Sequence, residues 1–294
     1  MFNDRLIPDQ FEAHMPEVFP TSSPGNFTYH KEIEQWVMTV FHHYQWDLNY
    51  RNPKVLIEMV GILLYLANQG VDIVRLDAPA FLWKEMGTTC QNLQQAHTIL
   101  KLMKRCAEVV APGVKFIAEA IVAPGEIVKY LGNHENDHEC DVAYHATLMA
   151  LIWESLATTK VNLLNKSLAK LPVKPSGTTW INYVRCHDDI GLGFDDEDIY
   201  QIGLDAKLHR AFLLEYYTGK FQGSYASGAL FMLNPDNGDA RISGTLASLA
   251  GLEKALEQRE PQQIENSLRR IVLVHAIIMS FGGLPMIYSG DEIG

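Results

Sequence analysis

VDIVRLDA, residues 71–78, is a short run of β-branched and aliphatic residues that carries an arginine and an aspartate near its end. Such a run is typical of a buried strand. The segment before it predicts a helix, because Asn52 and Pro53 form a helix start, apolar residues follow, and Gly70 stands where the helix would end. A helix that leads directly into a buried strand is the repeating element of α/β folds.

The same helix and strand pattern recurs along the chain. The five predicted strands are VDIVRLDA (71–78), KFIAEAIV (115–122), the weaker DVAYHATLM (141–149), WINYVRCHDD (180–189) and LPMIYSGDEIG (284–294). Helical segments are predicted near 92–110, 147–170 and 262–281. This alternation predicts a parallel sheet with helices outside it. The stretch from Gly191 to Leu252 is too long for a connecting loop and is interpreted as a small inserted subdomain.

Length and composition indicate a globular protein with a large core. The chain has 294 residues, of which 47% are hydrophobic, and a formal net charge of -11. Because polyanions repel such a chain, we expect no nucleic-acid partner and no membrane partner. No apolar run is long enough for a bilayer span or a signal peptide, so a cytoplasmic location is expected. The four cysteines show no paired spacing and are expected to be reduced thiols.

Ionisable residues stand at the ends of three predicted strands, where parallel α/β folds hold their reacting groups. They are Arg75 and Asp77, then Glu119, then His187, Asp188 and Asp189. A single acidic residue at a strand end more often only caps the next helix, which is the ordinary structural interpretation of each one alone. Three such strand ends in one chain favour a catalytic site.

The spacing within VDIVRLDA predicts a contact between Arg75 and Asp77. Alternate residues of a strand point to the same face, so the guanidinium is expected to hold the carboxylate ionised and oriented. An ionised and oriented aspartate is a competent nucleophile. Strict alternation would put His187 and Asp188 on opposite faces, so their joint use requires that the strand end before them.

A histidine cluster later in the chain is interpreted as a polar surface loop. His134, His138 and His145 lie near Cys140, but their spacing fits no standard set of metal ligands. We therefore expect no metal site and no cofactor.

Three of the segments resemble signature regions of the α-amylase superfamily of glycoside hydrolases (family thirteen). VDIVRLDA resembles the second region, FIAEAIV the third and VRCHDD the fourth, in the family's order. Within this superfamily the chain looks most like the amylosucrases, and the likeness runs along nearly the whole chain. Further segments with this likeness are QWDLNY, MGTTCQNLQQAH, GDARISGT and GGLPMIYSGDEIG.

The resemblance implies a role for each matched residue. Asp77 resembles the nucleophile, Glu119 the general acid/base, and Asp188 the carboxylate that binds the distorted glucosyl ring. Four more residues resemble substrate-binding positions: Arg75 and His187 at the nucleophile and ring hydroxyls, and Asp189 and Arg241 at the fructosyl leaving group or the acceptor.

The implied reaction is retaining glucosyl transfer from sucrose to an α-1,4-glucan, with release of fructose. Asp77 would attack the anomeric carbon while Glu119 protonates the departing oxygen, and Glu119 would then deprotonate the acceptor. Sucrose and α-glucan are thus the expected partners. Water as acceptor would instead make the chain a sucrose or α-glucoside hydrolase. A chain without activity would be a non-catalytic glucan-binding remnant.

The resemblance also implies a partial (β/α)8 TIM barrel that holds strands four to eight. The expected segments are 1–50, part of the excursion after strand three; 51–190, strands four to seven; 191–252, the inserted subdomain; and 253–294, the last helix and strand eight. The family's first signature region, first three strands and C-terminal sandwich domain have no counterpart here. Because five strands cannot close this barrel, we expect a truncated or split gene product that is weakly active, inactive or aggregation-prone. Its open edges would suit a complementing chain or a homo-oligomer.

Overall fold

The computed structural model describes residues 1–122, 124–132, 138–234 and 238–293. Its helices are α1 (Leu6–Glu12), α2 (Pro53–Asn68), α3 (Gln94–Val110), α4 (Pro124–Ile127), α5 (Ala146–Thr158), α6 (Asn162–Ala169), α7 (Asp196–Gln201), α8 (Ala206–Tyr217), α9 (Leu246–Ala250), α10 (Leu252–Gln258) and α11 (Pro261–Ser280). Its strands are β1 (Phe27–His30), β2 (Gln35–Met38), β3 (Ile73–Asp77), β4 (Lys115–Glu119), β5 (Val142–Tyr144), β6 (Thr179–Tyr183), β7 (Ala229–Phe231), β8 (Arg241–Ser243) and β9 (Leu284–Met286). Short 3-10 helices cover Pro79–Phe81 and Val128–Leu131. All five strands predicted from the sequence are present, as β3, β4, β5, β6 and β9.

The chain forms two compact units. The first unit holds Met1–Ala120, Tyr130–Val142 and Pro175–Gly177. The second unit holds Ile121–Lys129, Ala143–Lys174 and Thr178–Gly294. Among the described residues, no helix combines the length and the apolar character that a bilayer crossing requires.

In the first unit, β3 and β4 pair in parallel, and the register ends with Asp77 opposite Glu119. Helix α3 is fixed to this pair by an ion pair between Lys104 Nζ and Asp141 Oδ2 at 2.6 Å. The same oxygen accepts a hydrogen bond from the Phe116 amide at 2.8 Å. Both partners are largely buried, and the lysine holds the pKa of Asp141 below its ordinary value against the opposing effect of burial. The contact therefore locks helix α3 onto the entry of β4.

The first fifty residues contain an antiparallel hairpin of β1 and β2, with Phe27 opposite Met38 and His30 opposite Gln35. Its turn has Glu34 in a left-handed conformation, with φ 52°. The hairpin packs in a small apolar cluster whose buried members are Phe11, Met15, Phe27, Val40 and Cys90. In the sequence, only Trp36 to Trp46 alternates in a strand-like way, and the turn before it lacks the Asn-Gly or Asp-Gly pair that marks tight hairpins.

In the second unit, β6 and β9 pair in parallel, with Ile181 opposite Leu284 and Tyr183 opposite Met286. The approach to β9 requires a glycine, because a Cβ on Gly283 would lie 2.7 Å from the Trp180 carbonyl oxygen and its φ is 147°. This close approach explains the GGLP segment that begins the predicted last strand.

Two helices replace the single helical segment predicted over 147–170. The break falls at Thr159, which is left-handed with φ 57° and ends α5. Helix α5 is buried almost throughout, and Trp153 Nε1 donates to the Val184 carbonyl oxygen at 2.8 Å. Along the inserted stretch, β7 and β8 form a short antiparallel pair that is flanked by α7, α8 and α9.

The interpretation of the histidine cluster as a polar surface loop is wrong for two of its members. His145 is 6% exposed and caps α5, and Cys140 is fully buried. Burial raises the pKa of the Cys140 thiol far above its usual range. His134 lies outside the described residues. This burial is explained by apolar neighbours along the flanking strand and helix. The number and spacing of the histidines in the sequence did not reveal these neighbours.

Candidate active site

Asp77, the predicted nucleophile, is the last residue of β3 and follows Arg75 by two positions. Arg75 Nη1 donates a hydrogen bond to Asp77 Oδ1 at 2.6 Å. The contact predicted from the two-residue period of the strand is therefore confirmed. The Asp77 side chain is 75% exposed, so its carboxylate is open to an incoming ligand.

Glu119, the predicted acid/base, ends β4 and stands directly opposite Asp77 in the parallel register. Paired strands lie about 4.8 Å apart, so the two side chains start from neighbouring backbone positions. Arg75 Nη2 lies 3.6 Å from Glu119 Oε1. One guanidinium thus contacts both carboxylates.

The turn after β3 supplies a further partner for Glu119. The backbone amide of Ala78 donates to Glu119 Oε2 at 2.8 Å. Ala78 has φ 42° and ψ 49°, in the left-handed region that residues with a Cβ rarely adopt. It also precedes Pro79, and residues before proline are ordinarily extended. A strained turn therefore aims an amide at Glu119, and no pattern in the sequence indicated this contact.

Glu119 acts as a hydrogen-bond acceptor and as a partner of a cation in these contacts. Both interactions favour the carboxylate form, because an amide and a guanidinium donate to negative oxygen most strongly. The arrangement fits a group that takes a proton from an acceptor. To act as the general acid in a catalytic cycle, Glu119 must first be protonated.

In the second unit, β6 ends at Tyr183, so His187 and Asp188 lie in the loop beyond it. His187 Nε2 lies 3.4 Å from Asp188 Oδ1. The two side chains therefore point the same way, and the condition that the strand end before them is met. About half of each side chain is exposed, so both offer polar atoms to a ligand.

Asp189 and Arg241 are brought together by a bridge between the loop and β8. Ile190 and Ile242 exchange two backbone hydrogen bonds, of 2.8 Å and 3.0 Å. Burial raises the pKa of the Asp189 carboxyl above its ordinary value, while the Ser243 hydroxyl and the Arg241 charge oppose that rise. Ser243 was not among the predicted site residues, because its place follows from the pairing of β8 and not from any local motif.

A buried ion pair anchors the start of this loop. Arg185 Nη1 contacts Asp291 Oδ1 at 2.6 Å, and the Arg185 guanidinium lies 4.8 Å from the centre of the Tyr288 ring. Burial raises the pKa of Asp291, and the hydrogen bond from Arg185 opposes that rise. Residues that follow β6 and β9 are thereby held together. No local pattern in the sequence indicates this long-range pair.

The predicted site residues fall into two groups. Arg75, Asp77 and Glu119 belong to the first compact unit, where they contact one another. The second unit holds His187, Asp188, Asp189 and Arg241. The convergence of Asp77, Glu119 and Asp188 on one pocket stays a prediction.

Comparison with known proteins supports the family resemblance. Residues 8–191 match the family model described as alpha amylase, catalytic domain. The glucosylglycerate phosphorylase of Escherichia coli (strain K12) is 33% identical over 281 residues, which cover 95% of this chain and 46% of that protein. The trehalose synthase/amylase TreS of Mycolicibacterium smegmatis is 28% identical, over 94% of this chain and 41% of that protein. The chain thus spans less than half the length of these curated relatives.

A solved structure supports the fold. The sucrose 6F-phosphate phosphorylase from Thermoanaerobacter thermosaccharolyticum matches with a TM-score of 0.66, over 94% of this chain and 50% of that chain. At 18% identity this likeness concerns the fold alone. The relatives named above are phosphorylases and a trehalose synthase, so they do not bear out the narrower likeness to amylosucrases. Because the family model covers more than half of the chain, the chain belongs to the alpha-amylase family of glycoside-processing enzymes.

Proposed function

We propose that this chain carries the reacting groups of a retaining α-glucosyl transfer, with Asp77 as nucleophile and Glu119 as acid/base. The supporting observation is that these carboxylates stand opposite each other at two strand ends, and that Arg75 contacts both. Double displacement requires two carboxyl groups about 5 Å apart. Membership of the alpha-amylase family supports the same chemistry.

In the first half-reaction, one Asp77 oxygen attacks the anomeric carbon of an α-glucoside. The bond from that carbon to the leaving-group oxygen breaks, Glu119 gives its proton to that oxygen, and a β-glucosyl ester forms on Asp77. Arg75 holds Asp77 Oδ1 at 2.6 Å, which leaves Oδ2 for the attack. The arginine therefore positions the nucleophile.

In the second half-reaction, the Glu119 carboxylate takes a proton from the acceptor. The acceptor oxygen bonds to the anomeric carbon, and Asp77 departs as a carboxylate. The Ala78 amide stabilises the form of Glu119 that this step needs. Two successive inversions restore the α configuration in the product.

The loop after β6 is assigned to recognition. Asp188 and His187 bind hydroxyls of the glucosyl ring, to which their half-exposed side chains offer polar atoms. Asp189 and Arg241 contact the leaving group or the acceptor, because together they present an acceptor and a donor of hydrogen bonds. These roles require that both groups of residues meet one substrate.

Inorganic phosphate is the acceptor we favour. The relatives named glucosylglycerate phosphorylase support it, one of them 33% identical over 95% of this chain and another 37% identical over 60% of it. Attack by a phosphate oxygen on the glucosyl ester would release α-glucose 1-phosphate. Glycerate would be the leaving group if the donor is glucosylglycerate.

Transfer from sucrose to an α-1,4-glucan is the second candidate. It is favoured by the amylosucrase-like segments QWDLNY and GDARISGT, the second of which contains Arg241. Water as acceptor would give hydrolysis of sucrose or of another α-glucoside. A glucan-binding remnant without activity is the remaining alternative.

Product analysis separates these candidates. The purified chain is incubated with glucosylglycerate or with sucrose, each with and without phosphate. Phosphate-dependent α-glucose 1-phosphate supports phosphorolysis, a growing glucan with free fructose supports the second candidate, and free glucose alone supports hydrolysis. Asp77→Asn must abolish every product. Maltooligosaccharide binding that survives this substitution, with no product from the parent chain, would support the remnant.

A covalent trap tests the mechanism independently of the acceptor. Glu119→Gln can still be glucosylated by α-glucosyl fluoride, whose leaving group needs no proton, but it lacks the base that releases the ester. Intact-mass analysis is expected to show one glucosyl residue added, and peptide mapping should place it on Asp77. Labelling at another carboxylate would refute the assignment of the nucleophile.

A further inference from the structure

Three consecutive residues beyond β6 bring three kinds of metal ligand to one point. The Cys186 thiol, the His187 imidazole and the Asp188 carboxylate have ligand atoms that all lie within 4.8 Å of one another. The proposed glucosyl transfer uses His187 and Asp188 but gives Cys186 no role. The position of this thiol therefore calls for an explanation of its own.

Two distances within this group are close to those between the ligand atoms of a tetrahedral ion. His187 Nε2 lies 3.4 Å from Asp188 Oδ1, and Cys186 Sγ lies 3.7 Å from Asp188 Oδ2. A tetrahedral zinc ion with bonds of about 2.3 Å to sulfur and about 2.1 Å to nitrogen or oxygen separates its ligand atoms by roughly 3.4 to 3.6 Å. The two distances reach different oxygens of Asp188, and one ligand atom from each of the three residues lies within 4.8 Å of the others, so the side chains must close by rotation to share one ion.

The hydrogen bonds around the sulfur indicate how a metal would enter. The thiol donates toward Asp188 Oδ2, so its proton lies between the two atoms that a cation would join. The Asp188 amide donates to Cys186 Sγ at 3.5 Å. A divalent ion therefore replaces one proton: a sulfur–metal bond forms, the sulfur–hydrogen bond breaks, and the proton passes to solvent.

The composition and exposure of the group define the class of ion. One thiolate with one imidazole selects zinc or cadmium over magnesium and calcium, which prefer sites made wholly of oxygen. The His187 side chain is 54% exposed and that of Asp188 46%, so an ion has access from solvent. A fourth coordination position would remain for water.

We propose that Cys186, His187 and Asp188 bind one zinc ion or another thiophilic divalent cation, and that the bound ion excludes the sugar from this loop. The binding follows from the geometry of the loop alone. The inhibition rests on the proposed function, because it requires His187 and Asp188 to contact the glucosyl ring. A chelator that removes the zinc would restore the activity of the enzyme.

Metal titration of the purified chain tests the binding. Zinc chloride is titrated against a chromophoric chelator, and cadmium chloride is followed by the ultraviolet absorption of a cadmium–thiolate bond. The parent chain is expected to bind one ion and to show that absorption. Loss of a group that merely hydrogen-bonds to a metal ligand weakens metal binding roughly tenfold. Cys186→Ser removes a ligand itself, so it should weaken zinc binding by more than this and should abolish the cadmium–thiolate absorption. Cys106→Ser, which changes a half-buried cysteine on α3, is the matched control and should behave as the parent.

Activity measurements with the same variants separate the two parts of the proposal. Zinc is expected to inhibit the parent and Cys106→Ser, while Cys186→Ser keeps its turnover and loses most of its zinc sensitivity. Unchanged zinc affinity in Cys186→Ser, or cadmium–thiolate absorption that persists in it, overturns the metal site. Tight binding through Cys186 without any inhibition overturns sugar exclusion and, with it, the proposed ring-binding role of Asp188. If the chain has no measurable turnover, the binding data alone test whether the metal site exists. Sugar exclusion is then tested by whether zinc displaces bound maltooligosaccharide.

Discussion

Arg75 holds two carboxylates with one planar guanidinium, and a lysine cannot reproduce this. The single ammonium of Arg75→Lys would reach one carboxylate at a time and leave the other misplaced. We expect kcat to fall about 100-fold, since a displacement of about 1 Å at the reacting groups costs that much. Steady-state kinetics with the preferred donor measures it. Arg105→Lys, at an exposed arginine paired with Glu108, should keep full activity. Equal turnover by the two variants would show that Arg75 has no positioning role.

The left-handed conformation of Ala78 gives a second prediction at the residue scale. Ala78→Gly relieves the strain and keeps the amide that donates to Glu119, so activity should persist and the free energy of unfolding should change by no more than about 1 kcal/mol. Ala78→Val places a β-branched residue at φ 42° and should lose about 2 kcal/mol. Urea unfolding of both variants measures the difference. Equal stability of glycine and valine here would contradict the strained turn.

The sequence predicted the parts of the site that depend on local periodicity. The contact of Arg75 with Asp77 follows from the alternation of a strand, and the order of motifs put Glu119 at the next strand end. The amide of Ala78 and the pair of Arg185 with Asp291 could not be predicted. They depend on one backbone torsion and on a pairing across 106 positions, neither of which leaves a local pattern.

The start of helix α5 has a histidine where a serine or aspartate is usual. His145 Nδ1 accepts a hydrogen bond from the Leu148 amide at 3.3 Å, and its ring lies 4.8 Å from that of Trp180. Burial lowers the pKa of His145 to about 4. The neutral imidazole is therefore part of the folded helix cap, because a protonated Nδ1 could no longer accept the amide.

This cap makes stability depend on pH in a defined direction. The unfolded chain binds the proton of His145 near its ordinary pKa of about 6.5, whereas the folded chain binds it only near about 4. Stability is thus fully present above about 6.5 and is lost as pH falls toward 4, by about 3 kcal/mol from this residue. His145→Asn keeps a cap acceptor and does not titrate. Urea unfolding across this range should show a shallower loss for the variant, and parallel curves for the two proteins would contradict the assignment.

Element boundaries were predicted less well than element types. The strands rich in β-branched residues were found, but β6 ends at Tyr183 and not at Asp189. The helical segment over 147–170 is divided because Thr159 takes a left-handed conformation that a helical pattern does not reveal. Hairpin strand β1 was missed because its turn carries no glycine. Each error lies where a single backbone torsion decides the course of the chain.

For the molecule as a whole, the α/β class and the family followed from the order of motifs along the chain. The segment limits at 50, 190 and 252 stay predictions, as does the meeting of both groups of site residues. Such long-range features depend on how elements pack, and one sequence carries little information about that. The expected tendency to associate does have a structural counterpart in the second unit.

A stripe of exposed apolar side chains runs along α11. Leu268 is 45% exposed, Val272 68% and Met279 55%. Spacings of four and seven residues put these three on one face of the helix. Leu284 and Ile287, at and just after β9, are 50% and 43% exposed. Exposed apolar side chains on one face of a helix favour association, since water is released when two such faces meet.

We therefore expect the purified chain to self-associate through the α11 stripe. Val272→Glu places a charge in its middle, where burial against a second copy would cost several kcal/mol. Sedimentation velocity at rising protein concentration should show association of the parent and a marked reduction in this variant. Val173→Glu is the matched control, because Val173 is 94% exposed and lies outside the stripe. A parent chain that stays monomeric throughout, or equal association by all three proteins, would mean that this face does not mediate contact between copies.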